Sequence, residues 1–176
     1  MKIIFLDIDG VMLPIGSKDK LIPEDKILLL KGLIEETDSK VVLSSTWRLN
    51  ANRKFYEDED YENLVKSLKK HEIEIYDHTP AKQIKTIKRQ LVTKSGMTIV
   101  NYVTDPNSTR GAEISDWLKE NETSSFVILD DQDFYFDLFG LKDNFVKINN
   151  PYMGLEQIDV EQAKNILNVK IKVREK

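Results

Sequence analysis

Three short apolar runs in this chain each end in a group of acidic or hydroxyl side chains. Short runs of branched and aromatic residues are typical of buried strands in a parallel sheet. The runs and their polar ends are residues 3–6 with Asp7 and Asp9, residues 40–44 with Ser44, Ser45 and Thr46, and residues 126–129 with Asp130 and Asp131. Because ligands bind outside the carboxyl ends of such strands, we expect these polar side chains to converge on one site.

The segments between these runs favour an α/β fold. Apolar residues recur at helical spacing in several of them, and further short runs are typical of strands. The predicted helices cover residues 23–36, 52–71, 81–94, 109–121 and 156–167, and the further strands cover residues 72–76, 97–104 and 145–148. Strands that alternate with helices predict a central, mostly parallel sheet covered on both faces.

Size and composition fit one globular domain. A chain of 176 residues, with 40% hydrophobic and 32% charged residues, can bury a genuine core. The net charge of -4 provides no general attraction to nucleic acid or membrane. The absence of cysteine excludes disulfides, thiol nucleophiles and thiolate metal sites. No apolar segment is long enough for a signal peptide or a membrane span, so we expect a soluble, cytoplasmic protein with no membrane partner.

Asp7 and Asp9 form a pair of carboxylates that can divide two roles in one reaction. Asp7 can attack phosphorus while Asp9 gives a proton to the leaving oxygen. A magnesium ion takes oxygen ligands, and it would neutralise the charge that the acids and a phosphate bring together. We therefore predict Asp7, Asp9, Asp130 and Asp131 as metal-site residues, and we favour Asp131 over Asp130 as a ligand.

A hydroxyl and a cation would complete a site for phosphate. Ser44, the first residue past its strand, is the preferred hydroxyl, and Ser45 is the alternative; either could instead cap the following helix. Arg110, at the start of a predicted helix, is the preferred cation for stabilising charge in the transition state. Arg48 or a lysine of residues 82–94 could take its place.

Four segments together resemble the motifs of the haloacid dehalogenase (HAD) superfamily. They are residues 5–11 (FLDIDGV), residues 43–48 (LSSTWR), Arg110 and residues 128–131 (ILDD), in the order of the first to fourth motifs. With residues 110–118 (RGAEISDWL), the set is similar to the phosphatase-like domains of modular RNA-repair proteins. The resemblance implies a Rossmann-like three-layer sandwich, an aspartate nucleophile, Mg2+ and a phosphate monoester substrate. The residues from which we also expect substrate contacts are Gly10, Ser45, Thr46 and Arg48.

The chain departs from the compact family pattern between residues 79 and 108. We interpret residues 1–168 as a single HAD-like catalytic domain in which this stretch is a cap-like insertion, followed by a basic tail over residues 169–176. The basic residues of the helix predicted there are Lys82, Lys85, Lys88, Arg89 and Lys94. Such a helix could follow a polyanion, or it could be an ordinary solvated face.

These features predict a magnesium-dependent phosphatase that hydrolyses a phosphate monoester through an aspartyl-phosphate, and the resemblance implies a nucleotide or an RNA or DNA end as its substrate. The alternatives are a phosphatase for a sugar phosphate or other small metabolite, and a non-catalytic HAD-like binding module. A receiver-type phosphoacceptor would carry its acid pair on the first strand, whereas the pair at residues 130–131 comes late. His71 and His78 lack the convergent spacing of a zinc site, and Asp133 and Asp137 are loop acids that could at most support a ligand. The sequence does not indicate an oligomeric state.

Overall fold

A five-stranded parallel sheet forms the centre of the protein in the computed structural model, which describes residues 1–50 and 59–169. The strands of the described chain are β1 (Lys2–Leu6), β2 (Ser39–Leu43), β3 (Ile75–His78), β4 (Thr86–Val92), β5 (Thr98–Thr104), β6 (Ser125–Asp130) and β7 (Phe145–Lys147). The sheet has the order β3-β2-β1-β6-β7, and each neighbouring pair runs parallel. The predicted α/β fold with a mostly parallel sheet is therefore confirmed.

Helices cover both faces of this sheet. The helices of the described chain are α1 (Glu24–Thr37), α2 (Glu59–Lys70), α3 (Arg110–Glu120) and α4 (Gln157–Asn168). Successive residues of a strand point to opposite faces. Ile4 and Leu6 of β1 accordingly belong to the core formed with α1, α2 and α4. Phe5 packs on the other face against Trp117 of α3, with ring centres 5.3 Å apart. The sheet and the helices on its two faces make up the three layers of the sandwich.

The prediction of a helix over residues 81–94 is wrong. Its main part is β4, which pairs antiparallel with β5 to form a separate two-stranded hairpin. Gly96, with φ +83°, lies in the turn between the two strands. The spacing of Ile84, Ile87 and Leu91 matches a helical stripe, but hydrogen bonds to β5 decide the conformation. The helical spacing is a property of residues 81–94 alone, whereas the partner strand lies further along the chain.

The other predicted elements are present with shifted ends. The helix predicted over residues 52–71 is confirmed from Glu59 onwards, and residues 51–58 lie outside the described part of the chain. The predicted basic tail also lies outside it from Lys170 onwards. A short 3-10 helix, Thr46–Asn50, follows β2, and another, Phe136–Phe139, follows β6. None of the helices that the structure describes is long and apolar enough to cross a membrane.

Candidate active site

Three acids lie together at the carboxyl ends of β1 and β6. The two strands are in register, with Leu6 opposite Leu129, and the Asp7 amide donates to the Leu129 carbonyl at 3.0 Å. One carboxylate oxygen each from Asp7, Asp130 and Asp131 lies within 4.8 Å of the other two. Asp7 and Asp130 are buried, and Asp131 is half-buried. The structure thus brings together three of the four predicted metal-site residues.

This acid cluster carries negative charge in a place from which water is largely excluded. Burial raises the pKa of Asp7, and the neighbouring Arg110 guanidinium opposes that rise. The pKa of Asp130 is raised to about 7, chiefly by burial and also by the charge of Asp7, while Arg110 opposes the rise. Both shifts follow from the cost of an ionised carboxylate in a low dielectric. A further cation at this position would stabilise the ionised form of both acids.

Arg110 supplies one cation to the cluster. Its Nη1 lies 3.2 Å from Oδ2 of Asp7 and forms an ion pair with Asp130 as well. The guanidinium carbon lies 4.5 Å from the ring centre of Phe134. The hydroxyl of Thr109, the residue before α3, donates to the Phe134 carbonyl at 3.1 Å and ties the start of α3 to the loop after β6. These contacts hold a fixed positive charge where a phosphoryl group would approach Asp7.

Asp131 presents an oxygen suited to a metal ion. Its Oδ1 is buried and has no hydrogen-bond partner among the described residues. In Asp130, by contrast, Oδ1 accepts a 3.0 Å bond from the Gln132 amide and Oδ2 pairs with Arg110. A buried carboxylate oxygen without a partner is costly unless a cation binds it. Because carboxylate oxygens are the ligands that Mg2+ takes, the residues present fit a magnesium ion.

The carboxylate of Asp9 does not belong to this three-acid group. Asp9 is exposed, and its Oδ2 accepts a 2.8 Å hydrogen bond from the indole nitrogen of Trp47, which is itself buried. The metal contact predicted for Asp9 stays a prediction. Its exposed carboxyl group, two residues from Asp7, suits the exchange of protons. Trp47 belongs to the second motif, but the sequence predicts no role for it, because a hydrogen bond between segments far apart in the chain leaves no local pattern.

Gly10 allows the loop after β1 to approach the end of β6. Its φ is +77°, and a Cβ atom there would lie 2.8 Å from the carboxylate carbon of Asp131. Its amide donates to the Leu13 carbonyl at 2.8 Å, which closes the turn. Both the backbone conformation and the close contact therefore require glycine. The substrate contact predicted for Gly10 stays a prediction.

Hydroxyl groups from two further strand ends lie at the same edge of the sheet. Ser45 is buried, and its hydrogen bond to Asp7 lowers the pKa of that acid. Ser44, whose amide donates to the Leu6 carbonyl at 2.8 Å, has a buried hydroxyl without a hydrogen-bond partner among the described residues. Thr79, directly after β3, also has a buried hydroxyl without a hydrogen-bond partner among the described residues. Sequence reasoning missed Thr79 because the predicted strand ended two residues too early.

The protein itself holds Arg48 in place. Its Nη2 pairs with Oε2 of Glu113 at 2.5 Å, and both side chains are buried. Its Nε donates to the Thr79 carbonyl at 3.0 Å, and its Nη1 donates to the Ser45 carbonyl. Oε1 of Glu113 also accepts a 2.7 Å bond from the Lys82 amide. This network joins the ends of β2 and β3 to α3, so it fixes the hydroxyl-bearing loops; the substrate contact predicted for Arg48 stays a prediction.

A cavity of about 610 Å³ opens beside Arg110. It lies between the 3-10 helix after β2, the base of the hairpin, the start of α3 and the loop after β6. Ile84, Phe134 and Tyr135 give it an apolar and aromatic wall, and Thr46, a predicted substrate contact, also lines it. The volume lies in the usual range for sites that bind small molecules. The cavity can therefore accept a group attached to a phosphate held at the acids.

The parallel sheet, its three layers and the acids at the ends of β1 and β6 define a HAD-like domain. The family model described as the HAD domain in Swiss Army Knife RNA repair proteins matches residues 3–160, and the chain belongs to this family. The resemblance inferred from the sequence is thereby confirmed, and the family is one of HAD-type hydrolases. No curated protein and no solved structure matches the chain.

Proposed function

We propose that this protein is a magnesium-dependent phosphatase that acts on a nucleic-acid end or a nucleotide through an aspartyl-phosphate on Asp7. The observation that carries the proposal is the grouping of three carboxylates with Arg110, together with the unpartnered oxygen of Asp131. A nucleophile, a set of oxygen ligands and a cation for phosphate then share one site.

In the first step, a carboxylate oxygen of Asp7 attacks phosphorus. The new oxygen–phosphorus bond forms while the bond from phosphorus to the leaving oxygen breaks. Protonated Asp9 gives its proton to that leaving oxygen. The hydrogen bond from Trp47 occupies Oδ2 of Asp9, so Oδ1 is the oxygen left to carry the proton.

In the second step, water attacks the phosphorus of the aspartyl-phosphate. Asp9, now a carboxylate, takes a proton from that water, and the bond between Asp7 and phosphorus breaks to release inorganic phosphate. Arg110 stabilises the charge on the phosphoryl oxygens, and Ser45, which is hydrogen-bonded to Asp7, can hold one of them. Mg2+ held by Asp7, Asp130 and Asp131 would neutralise the charge that nucleophile and phosphate bring together.

The cavity beside Arg110 supports a substrate with a sizeable, partly apolar leaving group. A nucleoside combines a flat base with a polar sugar, and the cavity combines Phe134 and Tyr135 with Thr46 and Thr104. The description of the family names RNA repair proteins. Both observations favour a phosphorylated nucleotide or nucleic-acid end over a sugar phosphate.

The test is phosphate release from a panel of substrates, with Mg2+ and with a chelator. The panel contains mononucleotides, RNA and DNA oligonucleotides with a 3′ or a 5′ phosphate, and sugar phosphates. We expect Mg2+-dependent release that is fastest from the nucleic-acid substrates. Asp7→Asn should abolish release and leave the circular dichroism spectrum unchanged, because the amide keeps the shape but loses the nucleophile.

Asp137→Asn is the matched control, because this exposed acid lies outside the acid cluster. It should retain wild-type turnover. Near-native turnover in Asp7→Asn would overturn the mechanism, and fastest release from sugar phosphates would overturn the substrate class.

A further inference from the structure

The hairpin formed by β4 and β5 carries an unusual distribution of charge. Residues 79–104 contain five basic residues and no Asp or Glu, although the whole chain has 30 acidic against 26 basic residues. Lys82 is engaged at the base, where its Nζ pairs with Asp116 at 2.6 Å. Lys85, Lys88, Arg89 and Lys94 are exposed, and none of them has an ion pair within residues 1–50 and 59–169. A positive surface without acids attracts a polyanion.

One face of the hairpin combines a cation with an exposed aromatic ring. Lys88 pairs directly with Tyr102 across the two strands, so both side chains point to the same face. Tyr102 is 71% exposed, and little of its ring is therefore covered by the protein. An aromatic ring next to a lysine is the combination that stacks a base and contacts the adjoining phosphate in single-stranded nucleic-acid sites. Arg89, the next residue along β4, points to the opposite face.

The same face leads into the cavity at the candidate active site. Thr104, two residues after Tyr102 in β5, lines that cavity, and residues two apart in a strand share a face. Two hydrogen bonds fix the base of the hairpin: the Lys85 amide donates to the Ser108 hydroxyl at 2.9 Å, and the Asp105 amide donates to the Lys85 carbonyl at 2.8 Å. A chain that leaves the cavity can therefore continue along this face without a break.

We propose that this face of the hairpin, defined by Thr86, Lys88, Gln90, Tyr102 and Thr104, binds a single-stranded nucleic acid next to its terminal phosphate. Tyr102 stacks on an unpaired base, and Lys88 contacts the backbone. The strand is single because a base within a duplex offers no free ring face to Tyr102. The proposal rests on the proposed function in one respect, since the terminal phosphate is placed at Asp7.

The test measures binding separately from turnover. A fluorescent single-stranded oligonucleotide with a terminal phosphate is titrated with each protein over a salt series, and its anisotropy is recorded. Lys88→Ala should weaken binding and reduce the slope of log affinity against log salt by about 0.7, as for one lost contact to single-stranded phosphate. Tyr102→Ala should weaken binding roughly tenfold, whereas Tyr102→Phe should retain it.

Two controls carry the same change of charge. Arg89→Ala removes a cation from the opposite face of the same strand, and Lys69→Ala removes one from the end of α2. Both should weaken binding less than Lys88→Ala does. Turnover of a mononucleotide should be unchanged in every hairpin variant, which separates a lost strand contact from a damaged active site.

Equal losses for Lys88→Ala and Arg89→Ala would overturn the assignment of the face. Equal affinity of Tyr102→Ala and wild type, or tighter binding of a blunt duplex, would overturn the single-stranded ligand. If wild type binds the strand in the expected manner but releases no phosphate, the proposed function fails and the binding site stands.

Discussion

The indole N–H of Trp47 donates a 2.8 Å hydrogen bond to Oδ2 of Asp9, although 38 positions separate the two residues. The donor lies in the 3-10 helix after β2, and the acceptor lies in the loop after β1. Trp47 is buried and Asp9 is exposed. A buried residue that cannot move freely therefore orients a carboxyl group at the surface of the site.

This bond predicts a defined defect in Trp47→Phe, which keeps an aromatic ring but removes the N–H donor. Release of phosphate from an alkyl phosphate should fall roughly tenfold or more, because the leaving oxygen needs a well-placed proton. Release from p-nitrophenyl phosphate should change much less, because nitrophenolate leaves without a proton. Trp117→Phe is the control, since that indole donates to Asp77 at 2.7 Å, away from Asp9. Equal losses for the two substrates would remove Trp47 from the positioning of Asp9.

The two acids at the end of β6 should respond differently to neutralisation. Asp131→Asn removes the carboxylate with the unpartnered oxygen, so the Mg2+ concentration for half-maximal turnover should rise at least roughly tenfold. Asp130→Asn should raise it less, because Arg110 and the Gln132 amide already engage that carboxylate. Magnesium titrations of both variants decide the matter. The reverse order would exchange the roles of the two acids.

Gly10→Ala should both destabilise the fold and weaken Mg2+ binding. The left-handed conformation costs an alanine about 1 kcal/mol, and the new methyl group would press on Asp131. Gly16→Ala is the matched control: its φ is also positive, at +90°, but a Cβ there meets nothing within 4 Å. We expect similar conformational strain in both variants, and weaker magnesium binding in Gly10→Ala alone. Urea unfolding and calorimetric Mg2+ titration measure the two effects.

The ion pair between Arg48 and Glu113 predicts a large loss of stability in Glu113→Gln. Breaking a buried pair leaves an uncompensated charge, at a cost of about 3–5 kcal/mol. Glu72→Gln breaks the exposed pair with Lys31 and should cost much less, because solvent screens that pair. Urea unfolding measures both free energies. A loss in Glu113→Gln no larger than in Glu72→Gln would show that the pair does not hold the loops.

His78 should make stability depend on pH. Burial, assisted by the charge of Arg48, holds its pKa below the usual 6.5, while Asp77 opposes the shift. The unfolded chain therefore binds a proton more readily than the folded protein does. The stabilisation is present above pH 6.5 and is lost as the pH falls through the lower folded pKa.

In His78→Gln, the free energy of unfolding should consequently fall less between pH 7 and pH 5 than it does in wild type. Tyr61→Phe removes the 2.9 Å contact between the phenol oxygen and Nε2 of His78 but leaves the imidazole to titrate, so it should keep a pH dependence. Parallel pH profiles for wild type and His78→Gln would exclude His78 as the source.

Three strand ends of the central sheet, those of β1, β2 and β6, could be predicted from the sequence alone. Apolar runs that stop at Asp7, Ser44 and Asp130 specify buried strands, and parallel pairing then brings those ends to one edge. The three-layer fold, the family and the closeness of Asp7 to Asp130 and Asp131 could all be inferred from this local pattern. This pattern can be recognised because a short buried strand needs apolar residues at consecutive positions.

Which side chains meet at that edge, and what residues 79–108 form, depended on the tertiary structure. Arg48 forms an ion pair with Glu113, 65 positions away in the chain. The carboxylate of Asp9 lies outside the acid group and accepts a hydrogen bond from Trp47. Residues 86–104 form a hairpin because all seven residues of β4 pair with residues of β5, and this pairing outweighs the helical spacing of β4. Such contacts depend on how separate elements pack, and the energies that favour them arise between residues far apart in the chain, so no local pattern records them.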